Sequence, residues 1–136
     1  MTRINIIDPS ELVDQHLMAE YREIFMVGSA LQRSLKSANG VFGIPTKFTL
    51  NKGHVKFFYN KGMYLALRYE ELRAELRKRN FNIDETREFK LDQFPDRYFQ
   101  DWSPNDEDRA VIRERLNAKI KEKPHFYKMY GKPLET

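Results

Sequence analysis

Residues 8–40 read DPSELVDQHLMAEYREIFMVGSALQRSLKSANG, and this stretch decides the fold. Asp8 suits a helix N-cap, Pro9 the first helical position and Glu11 the reciprocal place of a capping box. Val13, Leu17, Ile24, Val27, Leu31 and Leu35 then fall along one helical face. Asn39-Gly40 supplies the stop. Gly28 sits inside the stretch, where it either weakens the helix or permits close packing. The spacing therefore predicts one long amphipathic helix, buried on one side.

Two further helices follow from the same kind of signal. Leu65, Tyr69, Leu72 and Leu76 mark a buried stripe over Met63 to Arg79, with Asn80 as the stop. Ser103-Pro104-Asn105-Asp106 repeats the order of cap, proline and acid. It opens a helix that ends before Pro124, with Ile112, Leu116 and Ile120 as its apolar line. Between the first two helices, FTLNKGHVKFFYNKG (48–62) suits a short strand pair or an irregular loop packed by Phe57, Phe58 and Tyr59. The linker from Phe81 to Trp102 has no period and is expected to wrap the surface. Three helices with long irregular connections predict an all-α fold, a single compact domain over 1–136.

Composition narrows the function. The chain has 136 residues and no cysteine, which removes disulfides, thiol nucleophiles and cysteine-ligated zinc. Three scattered histidines give no metal-ligand spacing; His54 is read as structural and His125 as a surface or capping residue. The opening residues are interrupted by charges and form no signal peptide, and no stretch approaches a membrane span. The expected protein is cytoplasmic. Lys and Arg number 24 against 20 Asp and Glu, a net charge of +4. That balance favours an anionic partner, nucleic acid first, although an ordinary soluble basic protein would show it too.

The first helix carries a second face. At about 100° per residue, Gln15, His16, Ala19, Arg22, Glu23 and Met26 lie roughly opposite the apolar stripe. Such a mixture of carboxylate, guanidinium, imidazole and amide is by default a solvated face. The N-terminus alters its meaning. Loss of the initiator Met before the small Thr2 would expose an α-amine with a reference pKa of about 7.7–8.0, against about 10.4 for lysine. A neutral amine can attack a sugar carbon and form a Schiff base. Glu23 is then the acid/base partner, with Arg3 and Arg22 as phosphate ligands.

Four blocks, MTRIN (1–5), ELVDQHLMAEYRE (11–23), GHVKFFY (53–59) and YKMYGK (127–132), lie in an order that resembles the phage pyrimidine-dimer glycosylase family, the endonuclease V of T-even phages. The resemblance implies a three-helix enzyme without metal or organic cofactor, acting on double-stranded DNA that contains damaged bases or abasic sites. It implies excision of cyclobutane pyrimidine dimers and then backbone cleavage by β-elimination, with Thr2 and Glu23 as catalytic residues. It carries over Arg3, His16, Arg22, Arg115 and Lys119 as DNA-binding positions, with Gln15 beside them. It further implies a monomer that bends DNA and displaces a base, as chemistry on a stacked base requires. Arg115 and Lys119, four residues apart, share one helical face and would grip phosphates. Tyr127 and Lys128 would border the groove, while Phe126 and Tyr130 are assigned to core or tail packing.

The match departs at Phe25 and Met26, where the family has a proline and an arginine. Met26 lies on the polar face and cannot bind phosphate; it suits a wedge or a pocket wall. Phe126 stands where the family often has tryptophan. Two other functions remain open: the same amine chemistry on another damaged or modified base, and a non-catalytic DNA-binding or architectural protein.

Overall fold

The first helix is not continuous. In the computed structural model, which describes residues 2–134, Asp8 caps a single 3-10 turn at Pro9–Glu11, its side chain accepting from the Ser10 amide at 2.9 Å. Leu12 and Val13 are then extended, and helix α1 starts only at Asp14. The physical reason is burial. Leu12 is 1% and Val13 3% exposed, and the extended backbone buries the two side chains in opposite directions, which neighbouring positions of one helix face cannot do. Glu11 closes no capping box; it makes a two-point ion pair with Arg113.

α1 runs Asp14–Glu23 and α2 Phe25–Lys36. Ile24 between them keeps right-handed helical angles, so the two form one rod with a junction. The predicted apolar face holds across that junction: Leu17, Ile24, Val27 and Leu31 are all fully buried. Gly28 serves close packing. A Cβ there would lie 2.3 Å from the Gln93 side chain and 3.1 Å from the Phe94 ring.

The segment 48–62 forms neither strand pair nor pure loop. It contains a one-turn helix, α3, at His54–Phe57, which turns Phe57 and Phe58 into an aromatic cluster with Phe48 and Trp102. α4 spans Gly62–Lys78, within one residue of the expected helix at each end. Its stop is Asn80 at φ 63°, whose amide donates to the Arg77 carbonyl while Phe81 donates to that of Leu76. This pairing is a Schellman closure.

The linker 81–102 does more than wrap the surface. It contains two 3-10 turns, Leu91–Gln93 and Asp96–Tyr98, and buries Phe94 and Tyr98. Phe94 enters because Gly28 and Gly62 leave room; a Cβ on Gly62 would lie 2.6 Å from its ring. α5 spans Asp106–Glu122 and is capped by Asn105 rather than Ser103, in a reciprocal box with Asp108. Asp106, Glu107 and Asp108 suit the positive end of the helix dipole.

The tail adds a small two-stranded sheet. β1 (Lys128–Met129) pairs antiparallel with β2 (Lys132–Pro133). Tyr130 and Gly131, at φ 53° and 77°, form the two-residue turn that suits a twisted hairpin. Asp14 accepts from both turn amides, at 3.1 and 2.7 Å, which seats the hairpin on the start of α1. Tyr130 packs over Arg79 and its hydroxyl donates to Glu75, as tail packing requires. Phe126 does not join the core: it is 56% exposed and touches the ring of Tyr127.

The architecture is thus all-α. The inner faces of α1, α2, α4 and α5 share one core with the N-terminal segment, in which Ile4, Ile6 and Ile7 are buried. A buried ion pair joins α1 to α4: Arg68 donates to both oxygens of Glu20, at 2.7 and 3.0 Å. Among the described residues no helix is long and apolar enough to cross a membrane.

Candidate active site

The N-terminal segment is threaded between helices, and three buried side chains hold its backbone. The Ile4 amide donates to His54 Nε2 at 2.9 Å, the Asn5 amide to Glu20 Oε1 at 3.1 Å, and the Ile7 carbonyl accepts from Arg68. Ile6, at φ 41°, is a β-branched residue in a region such residues avoid, so these tethers hold a strained backbone. They deliver Arg3 and Asn5 to a cleft of about 200 Å³ between α1 and α5.

α1 contributes His16, Ala19 and Glu23 to that cleft, at the i, i+3 and i+7 positions of its polar face. α5 contributes Arg115 and Lys119, one turn apart. Five of the residues singled out from sequence, Arg3, His16, Glu23, Arg115 and Lys119, therefore meet in one place. Thr2, half-buried, immediately precedes Arg3. Met1, on whose removal the amine depends, lies outside the described residues.

The cleft is electropositive. It holds two acids, but Glu20 is engaged by Arg68, which leaves half-buried Glu23 as its accessible carboxylate. Burial, and then the neighbouring charge of Arg115, lowers the pKa of Arg3. Burial, with the charges of Arg115 and Lys119, pushes His16 down to about 4. His16 is therefore neutral at pH 7 and brings a hydrogen-bonding, stackable ring rather than a cation; the ring lies 4.8 Å from that of Tyr127. Two buried polar atoms here, Arg3 Nε and Asn5 Oδ1, have no partner in the described protein.

The remaining residues lie around the rim or away from it. Gln15 spends its amide on the tail, donating to the Phe126 carbonyl at 2.8 Å and accepting from the Lys128 amide at 3.0 Å. It thereby seats Tyr127 and Lys128 beside α1, next to a second hollow that Gln15 and Lys128 line with Phe81. Arg22 is exposed, and its carbonyl accepts from Arg87. Met26 is 48% exposed at the start of α2. Among the described residues no three potential metal ligands cluster.

Sequence reasoning missed Glu20, Arg68 and Asn5. A signal for the first two was present: Glu20 interrupts the stripe Leu17–Ile24, and Arg68 sits between Leu65 and Leu72. Opposite charges embedded in two buried stripes are affordable only as partners. Asn5 carries no comparable signal.

Residues 1–89 match the family of pyrimidine dimer DNA glycosylases. The matched span contains the N-terminal segment, α1 to α4 and the Glu23 wall of the cleft; Arg115, Lys119 and the tail lie beyond it. The chain therefore belongs to the pyrimidine dimer DNA glycosylase family that its sequence resembles, and is a DNA-repair glycosylase whose substrate is DNA.

Proposed function

We propose that this enzyme excises cyclobutane pyrimidine dimers and then cleaves the backbone, using the α-amine of Thr2 as nucleophile and Glu23 as its carboxylate partner. The observation that carries the reading is Glu23 in a cationic cleft whose neighbouring wall is Arg3, the residue bonded to Thr2. The neutral amine attacks C1′ of the damaged nucleotide; the N–C1′ bond forms as the glycosidic bond breaks. The departing base takes the glycosidic electron pair and the proton that the amine loses; the sugar ring then opens as O4′ takes a proton from water, which leaves a protonated Schiff base. Removal of a C2′ proton then expels the 3′ phosphate by β-elimination. Glu23 stabilises the positive charge that develops on the sugar and accepts the C2′ proton. No metal or organic cofactor enters these steps.

Arg3, Arg115 and Lys119 take phosphate oxygens, with Arg22 and Lys128 on the rim. His16 and Tyr127 offer ring faces, and Gln15 holds the tail that carries Tyr127. The protein acts as a monomer and a single domain over 1–136, in the cytoplasm, on double-stranded DNA. Arg115→Ala and Lys119→Ala should each reduce the slope of log affinity against log salt by about 1. Fluorescence anisotropy across a salt series checks this, and unchanged slopes in both variants would remove the pair from the phosphate contacts.

Borohydride in the presence of an abasic-site duplex tests the chemistry. The expected product is a covalent protein–DNA adduct that maps to the N-terminal peptide. Efficient trapping by protein acetylated at that amine refutes the assignment. A second reading, the same chemistry on another damaged base, is favoured by Met26, exposed where the family has arginine. A panel of ultraviolet-damaged, oxidised and alkylated duplexes separates the two.

A further inference from the structure

His54 lies outside the cleft, yet it holds the segment that enters it. The ring is 1% exposed and packed edge-on against Phe48 and Phe58. Its Nδ1 faces the Thr49 carbonyl at 2.8 Å, and its Nε2 faces the Ile4 amide at 2.9 Å. A carbonyl only accepts and an amide only donates, so Nδ1 carries the proton and Nε2 the lone pair. Only this neutral tautomer satisfies both partners. Burial pushes the imidazole down to about 4; Arg3 and Arg115 add to that shift, and the Thr49 bond and Glu20 oppose it.

Ile4 is fully buried and stands two residues from Thr2, a reach of at most about 7 Å. The next tether, Asn5 to Glu20, is anchored on α1 one turn before Glu23. The two bonds fix the segment between α3 and α1. We propose that His54 is a positioning residue for the N-terminal nucleophile: by accepting the Ile4 amide, its Nε2 sets where the Thr2 amine stands relative to Glu23. This rests on Thr2 as nucleophile. A histidine that merely filled the core would affect stability and leave the amine's placement untouched.

Two substitutions of similar polarity divide the ring's functions. His54→Asn reproduces the Nδ1 half: its amide can donate to Thr49, but it is too short to reach Ile4. His54→Gln reaches the Nε2 position and can accept from Ile4. The full-length protein is assayed by single-turnover borohydride trapping with saturating abasic duplex, below the unfolding temperature of each variant. His54→Asn should trap about tenfold to a hundredfold more slowly with DNA affinity within about twofold of wild type, because small misplacements of a nucleophile are costly. His54→Gln should stay within about threefold. Wild-type trapping by His54→Asn overturns the proposal, as does equal loss in both variants or a loss that tracks DNA affinity. A nitrogen–nitrogen coupling across the Ile4–His54 hydrogen bond, sought in the wild-type protein, decides the geometry even if a variant does not fold; its absence also overturns the proposal. Failure of the wild type itself to trap would count instead against Thr2.

Discussion

Glu23→Gln is expected to slow both base excision and strand cleavage by about 10²–10⁴-fold, with DNA affinity unchanged or slightly tighter. The substitution keeps the shape of the side chain and removes its charge and its basicity. Glycosidic cleavage builds positive charge on the sugar, and Glu23 is the cleft's accessible carboxylate. Without it, Arg3, Arg115 and Lys119 face that charge unopposed. On the proposed mechanism, removal of the C2′ proton would lose its acceptor as well. Affinity should not suffer, since the lost charge repelled phosphate. Single-turnover excision on a dimer-containing duplex, with anisotropy for binding, makes the measurement. Full lyase activity in Glu23→Gln would exclude the carboxylate from the mechanism.

The second large effect is on stability. Arg68→Met should destabilise the fold by about 3–5 kcal/mol, because it strands the charge of Glu20 in the core. Glu20 and Arg68 side chains are essentially inaccessible and bonded at two points. Removing both charges, as Glu20→Leu with Arg68→Met, should recover much of the loss, since a hydrophobic pair often replaces a buried ion pair at little cost. Recovery should remain incomplete. The Asn5 amide and the Ile7 carbonyl would lose their partners, at about 1–3 kcal/mol for each buried group left unpaired. Denaturant unfolding of the two singles and the double gives the cycle. A double variant no more stable than Arg68→Met would mean that the pair is not the source of the loss. Even a well-folded double variant should catalyse poorly, for it has lost two of the three tethers on the N-terminal segment.

The fold was legible where one face of an element meets the core over several turns. Leu65, Tyr69, Leu72 and Leu76 located α4 to within a residue at each end, and Leu17 to Leu31 gave the buried side of α1 and α2. Where a short segment buries side chains in opposite directions, periodicity failed. Leu12 and Val13 break the first helix for that reason, and Phe94 leaves the surface for a slot made by two distant glycines. The cleft divides in the same way. His16 and Glu23 were visible as one helical face, and Arg115 with Lys119 as another. That α5 stands opposite α1, and that Glu20 meets Arg68 across 48 residues of sequence, depends on tertiary pairing that no local pattern encodes. The amide of Gln15 reads equally well as a DNA contact or as a clamp until the tail is in place.

The seam between α1 and the hairpin also bears on how the chain assembles. Gln15 meets Phe126 across 111 residues and Asp14 meets Gly131 across 117, nearly the whole chain. Closing a loop of that length in an unfolded chain is entropically unfavourable, and the few hydrogen bonds at the seam offer little return for it. Once α5 has docked, the tail has only the short stretch from Glu122 to search. That ordering of costs predicts that the core assembles first and the seam second, with hairpin amides gaining hydrogen-exchange protection after those of α1 and α4. A chain stalled between those stages would hold Glu23 and Arg115 in place but lack the wall that carries Tyr127 and Lys128.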